Sequence, residues 1–279
     1  MAEQETKSAN IVPSSMAQVF VTMKYTFLDY LRARRFAILL VIVLIISALL
    51  TFLVAHFRPA GMVGSTAMPM DFYSLWWGSF ASFLVVLSGV FVGGDAIAGE
   101  FQNKTGYFTI PNPIRRSSIY VGKFLAAFIA STLILVTYLA IAVVNGIYYF
   151  GPSIPFQLGE SFLFAWLYLL AVLGFTFMLS SLFKTSSYSI LVSAVLLIIG
   201  FGIIQGVIEG LAGIEPWFII SYGSGIISNI LTVPYPTTIT RFGVSTFAAG
   251  VNEGLIIIGA YFVVTALLGL LLFERKEFN

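Results

Sequence analysis

Apolar residues along this chain fall into long unbroken runs, not into the alternating pattern of strands or the one-sided stripes of soluble helices. Six runs reach the roughly 20 residues a helix needs to cross a hydrocarbon core of about 30 Å at about 1.5 Å per residue. They are Phe36–Ala55, Tyr73–Val92, Val121–Tyr149, Phe162–Phe183, Tyr188–Ile208 and Gly254–Phe273. None places Lys, Arg, Asp or Glu near its middle. The third exceeds the minimum by about nine residues and is expected to tilt or to protrude from the bilayer. Short-period alternation of the barrel type is absent, so the expected fold is an all-α membrane protein with six transmembrane helices. The first run begins behind a basic cluster, which argues against a cleavable leader.

Composition agrees with this pattern. Apolar residues make up 59% of the 279 and charged residues only 9%, with a mean hydropathy of +0.98. A soluble domain is about half apolar and a quarter charged. The formal net charge is +2, and so few charges argue against a soluble enzyme, a disordered chain or a nucleic-acid binder. Cysteine is absent and His56 is the single histidine, which excludes disulfides, thiolate metal sites and any centre needing two imidazoles. No catalytic residue and no metal site is therefore nominated. Met62, Met68 and Met70 lie close together, and adaptable apolar packing is favoured over Cu(I) binding.

Charge sets the expected orientation. With the N-terminus inside, six crossings return the C-terminus inside. Lys7, Lys24, Arg32, Arg34, Arg35, Lys104, Arg115, Arg116, Lys123, Lys184, Arg275 and Lys276 then face the cytoplasm, and only Arg58 and Arg241 lie outside. A multi-pass protein of the cell membrane with both termini cytoplasmic is expected. Between the fifth and sixth runs, Pro216–Thr232 is too apolar for a free loop. A seventh crossing would carry Arg275 and Lys276 outside, so an external re-entrant or interfacial helical segment is expected, with Pro234 and Pro236 marking its exit.

Three regions follow: a disordered cytoplasmic tail over residues 1–12, an interfacial amphipathic helix over 13–35, and a single six-span domain over 36–279. Pro13, Ser14 and Ser15 read as a helix start. Val19, Met23, Phe27 and Leu31 recur every four positions while Lys24, Arg32 and Arg35 occupy other faces, as suits a helix in the headgroup plane. A cytoplasmic extension of the first span is the alternative. Within the spans, Gly202, Gly206 and Gly210 form a doubled small-xxx-small pattern that admits a second helix, either another copy or a neighbour in the same chain. Asn145 and Gln205 are the most polar residues near the spans. They are candidates for the substrate path, although an interhelical hydrogen bond is favoured over substrate contact for each.

The loop Gly93–Phe124 carries the most information. Asp95 can cap a short helix of about ten residues, Glu100 and Lys104 stand four apart in the favourable order, Gly106 can end the helix, and Pro111 and Pro113 prevent its continuing. Ser117 can then cap the third span. The bland account is a connector whose basic residues hold the cytoplasmic side. The order of features resembles the type-2 permease family of ABC transporters: Gly99-Glu100, Lys104-Thr105-Gly106, Pro111 to Pro113, Arg115-Arg116 and Gly122-Lys123, then the external segment and the tail Phe273-Glu274-Arg275-Lys276. Tyr107 to Ile110 stand where many relatives carry a leucine-rich run. The resemblance implies a coupling helix around 95–105, two ATP-binding cassette subunits, a second permease copy (identical or paralogous), and ATP and Mg held by the partner and not by this chain. It also places the first and fifth spans at the contact between copies, and the second and fifth beside the substrate path. The chain has no G-x-x-x-x-G-K-[ST] loop, so the energy must come from elsewhere.

The resulting expectation is the non-enzymatic permease subunit of an exporter for a hydrophobic or amphipathic substrate. A gradient-driven transporter is the alternative, weakened by the absence of ionisable groups at mid-span. A non-transport membrane subunit serving immunity, assembly or signalling stays open, and an intramembrane enzyme lacks motif support.

Overall fold

The computed structural model describes residues 14–57, 68–104, 114–241 and 244–276. The expected tail over 1–12, Arg58, Met62 and the loop residues Thr105 to Pro113 lie outside them. Among the described residues, six helices are long and apolar enough to cross a membrane. Span one is Arg34–Phe57, and span two runs over Pro69–Gln102. Span three is Arg116–Phe150, span four Phe156–Leu182, span five Ser186–Ala212 and span six Val251–Arg275. Each is longer than the apolar run that marks it, although span four ends one residue short of its run at Phe183.

A separate helix, Ser15–Arg32, precedes span one. Ser14 Oγ accepts from Ala17 N at 3.3 Å, the cap expected from the sequence. Ala33 is extended (φ −70°, ψ 136°) and breaks the chain between the two helices, so the alternative of one continuous helix does not hold. Of the expected apolar stripe, Val19, Met23 and Phe27 are half-buried against the protein and Leu31 is exposed, as are Met16 and Phe20 outside the stripe. This helix lies along the start of span three. A Cβ on Gly122 would stand 2.8 Å from Val19 O, so only glycine lets the two backbones cross this closely.

Spans two and four form the centre. Of their most apolar windows 67% is buried, against 11% for span five, which lies at the edge. Hydrocarbon tails are as apolar as leucine, so close packing and not water exclusion holds such helices together. Gly89 and Gly93 supply it here. A Cβ on Gly89 would fall 2.5 Å from Val172 Cγ1, and one on Gly93 2.2 Å from Thr176 Oγ1.

At one end of the bundle, Phe72, Tyr73, Trp76 and Trp77 are all buried. Trp77 Nε1 donates to Ser161 Oγ at 2.8 Å, and Ser161 donates onward to Ile227 O. Those bonds tie the segment Pro216–Thr232 into the fold. It makes two single-turn helices, Ile220–Gly223 and Ile226–Asn229, with Ile219, Ile226, Ile227 and Leu231 buried against protein. A two-stranded antiparallel hairpin follows, pairing Thr238–Arg241 with Val244–Phe247. Span five is less regular than expected, with π-helical turns at Val195–Gly200 and Ile208–Ala212.

Candidate functional site

The opposite end gathers most of the charged side chains singled out in the sequence. Span two continues through turns at 94–97 into the short helix Ala98–Gln102, about half the expected length. Its cap differs too: the capping residue is Ile97, with no side-chain bond, and Asp95 instead pairs with Arg35 at 2.7 Å. Gly99 makes this pairing feasible, since a Cβ there would lie 2.8 Å from Asp95 Oδ1.

Glu100 does not pair with Lys104. It meets Lys123 of span three at 2.7 Å, where both side chains are only 13% exposed. The same ammonium donates to Ala96 O at 2.9 Å. Lys104 is exposed and takes a left-handed conformation (φ 57°) that ends the short helix. Termination thus falls to Lys104, before the expected Gly106.

Ser117 does not cap span three either. The capping residue is Arg115, whose backbone N–H donates to Gln18 Oε1 of the N-terminal helix at 3.1 Å. Arg116 reaches the chain's end, donating to Glu274 O at 2.8 Å and Lys276 O at 3.0 Å. Lys276 Nζ in turn donates to Phe183 O at 2.7 Å and sits 4.0 Å over the Phe101 ring. Burial, then the neighbouring Lys184, lowers its pKa to about 8.

Asp95, Gly99, Glu100 and Lys123 therefore line one depression of about 520 Å3, together with Thr22, Thr26, Asp29 and Tyr30 of the N-terminal helix. The Tyr30 phenol is pushed well above its ordinary pKa by burial and by the carboxylates of Asp95 and Glu100. Its hydroxyl has no hydrogen-bond partner among the described residues. The depression is wide, its lining mixes polar and apolar side chains, and the Glu100–Lys123 pair forms part of its wall, which suits docking of a complementary protein surface better than enclosure of a small molecule.

The other nominated residues lie elsewhere. Around Gly202, Gly206 and Gly210 no heavy atom among the described residues comes within 4 Å of where a side chain would begin, so no described helix packs closely on them. Gln205 donates to Glu209 at 2.9 Å and accepts from Ser221 at 2.8 Å, which is the interhelical reading. Asn145 donates back to Ile141 O of its own helix at 2.9 Å. His56 stacks on Phe52 with ring centroids 5.4 Å apart. Met68 is exposed and Met70 packs against the core. Gln18, Gln102, Ser180 and Lys276 were not singled out as site residues. Only Gln18 left a trace, because Gln18, Thr22, Thr26 and Tyr30 form a polar stripe at four-residue spacing.

The sequence model of the family described as ABC-2 family transporter protein matches residues 21–278. No curated protein matches the chain.

Proposed function

Because the chain belongs to the ABC-2 family of transporter membrane proteins, we propose that it is the membrane-spanning permease subunit of an ATP-driven exporter. Two ATP-binding cassette subunits would carry ATP and Mg, and a second permease copy would complete the path for a hydrophobic or amphipathic substrate. The observation that carries this reading is the depression lined by the Glu100–Lys123 pair and by Asp95, which is itself paired with Arg35. It offers a soluble partner a surface of mixed polar and apolar character built from the N-terminal helix, the short helix Ala98–Gln102 and span three. Helix Ala98–Gln102 is then the coupling element, displaced when nucleotide closes the partner.

The remaining roles follow from exposure. Met16, Phe20 and Leu31 face outward at compatible helical spacing, which supports an interfacial position for the N-terminal helix. The uncovered Gly202, Gly206 and Gly210 face supports contact with the second copy along span five. The buried, broken Pro216–Thr232 segment fits a re-entrant element at the external end, with both termini on the cytoplasmic side.

The test is co-purification with the ATP-binding protein encoded beside it, with hydrolysis measured for the native chain and for Glu100→Ala. Stable association with hydrolysis that depends on Glu100 is expected. Failure of every candidate ATPase to associate would overturn the assignment.

A further inference from the structure

The helix Ala98–Gln102 lies at the end of span two and leads by sequence to span three, yet it is also tied by hydrogen bonds to two other spans. Ser180 Oγ of span four accepts from Ile97 N at 3.0 Å and from Ala98 N at 2.9 Å, and donates to Gly94 O at 3.0 Å. A hydroxyl has one proton and two lone pairs, so these three bonds use all of its capacity. At the other end of the helix, Gln102 Oε1 accepts at 2.8 Å from the backbone N–H of Ser186, the first residue of span five. Neither helix start has a side-chain cap of its own, so each borrows one across the contact. The backbone leading into the short helix is pressed onto the same two spans: a Cβ on Gly93 would strike Thr176 of span four, and one on Gly94 would stand 2.9 Å from Ile190 Cγ1 of span five.

We propose that Ser180 and Gln102 are positioning residues that lock the short helix onto spans four and five. A push on that helix is thereby delivered into two spans that chain connectivity alone would leave out. Span five, the least enclosed of the six, is the one such a push displaces most readily. The delivery rests on the proposed seating of an ATP-driven partner; the lock belongs to the chain by itself. Ser180 is fully buried, so its hydroxyl touches no partner, and its removal separates docking from transmission.

Two measurements test this. In the chain alone, in lipid nanodiscs, Ser180→Ala should speed hydrogen exchange at the Ile97 and Ala98 amides by about tenfold or more, as amides that lose their acceptor open more often. Ser180→Thr, which keeps the hydroxyl, should exchange like the native chain, and unchanged exchange in Ser180→Ala overturns the lock. In the complex, a spin label at Leu211→Cys reports on the far end of span five, where Leu211 is 85% exposed and no native cysteine competes. ATP with vanadate should change its spectrum in the native background. In Ser180→Ala the partner should stay bound and hydrolyse ATP while that change falls to less than about a third, and Ser180→Thr should restore it. A full spectral change in Ser180→Ala overturns the delivery. If the native chain binds no ATPase, the functional reading and the delivery both fall, and the exchange experiment still decides the lock.

Discussion

Two ion pairs at the same end of the molecule differ in what surrounds them. Lys123 and Glu100 are each 13% exposed, whereas Arg35 and Asp95 are 42% and 32% exposed. Water and salt screen the second pair, and removing one partner of the first strands a charge in poorly hydrated surroundings. A double-mutant cycle of Lys123→Met with Glu100→Gln should therefore show about 1–3 kcal/mol of coupling in reversible unfolding, against under about 1 kcal/mol for Arg35→Met with Asp95→Asn. Equal coupling in the two cycles would mean that burial is not what separates them. Lys276 supplies a pH test. Its folded pKa of about 8 lies below the ordinary 10.5, so between these values the unfolded chain holds a proton the folded chain has lost. Its contribution is unfavourable at neutral pH and is relieved as pH rises from about 8 towards 10.5, provided other groups are constant. Lysine methyl-label NMR should find its midpoint near 8, and a midpoint above 10 would refute the assignment. At this scale the charged positions were legible and their partners were not. The four-residue rule selects Lys104 for Glu100, but the crossing of span three delivers Lys123 instead, and no local spacing encodes that crossing.

Helix contacts show the same division one level up. The same four-residue glycine spacing occurs at Gly89/Gly93 in span two and, doubled, at Gly202/Gly206/Gly210 in span five. The first is filled by Val172 and Thr176, and the second meets nothing among the described residues. Spacing marks where a close approach is permitted, and only the arrangement of helices decides whether it is used. Gly89→Leu should thus destabilise the monomer by about 1–3 kcal/mol through overpacking against span four. Gly206→Leu should leave monomer unfolding unchanged while weakening association of two copies, read by cross-linking or by mass in detergent. If Gly206→Leu unfolds the monomer instead, the exposed face of span five is not free. The six spans themselves were legible because length and hydropathy alone identify a crossing. The separation of the N-terminal helix from span one was legible to within a few residues, whereas the π-turns of span five were not, since length and hydropathy do not report them.

Across the whole molecule, the described contacts sort the charges by end. The start of span one, the short helix after span two, the start of span three, the Phe183 turn and the C-terminal residues Arg275 and Lys276 all meet at one face, joined by Arg35–Asp95, Lys123–Glu100, Arg116–Lys276 and Lys276–Phe183 contacts. An even number of crossings requires this convergence, and the sequence reading reaches the same grouping from its six spans, with charge only choosing the side expected to face the cytoplasm. That grouping gives the proposed orientation a direct test. The chain has no cysteine, so single replacements report without background. In sealed cells, Lys24→Cys and Arg275→Cys should resist a membrane-impermeant maleimide until the membrane is opened, whereas Leu211→Cys and Trp217→Cys should react at once. The reverse pattern would invert the protein in the membrane and carry the docking face to the side without ATP. That single result would remove the proposed coupling, since the energy source and the surface built to receive it must share a compartment.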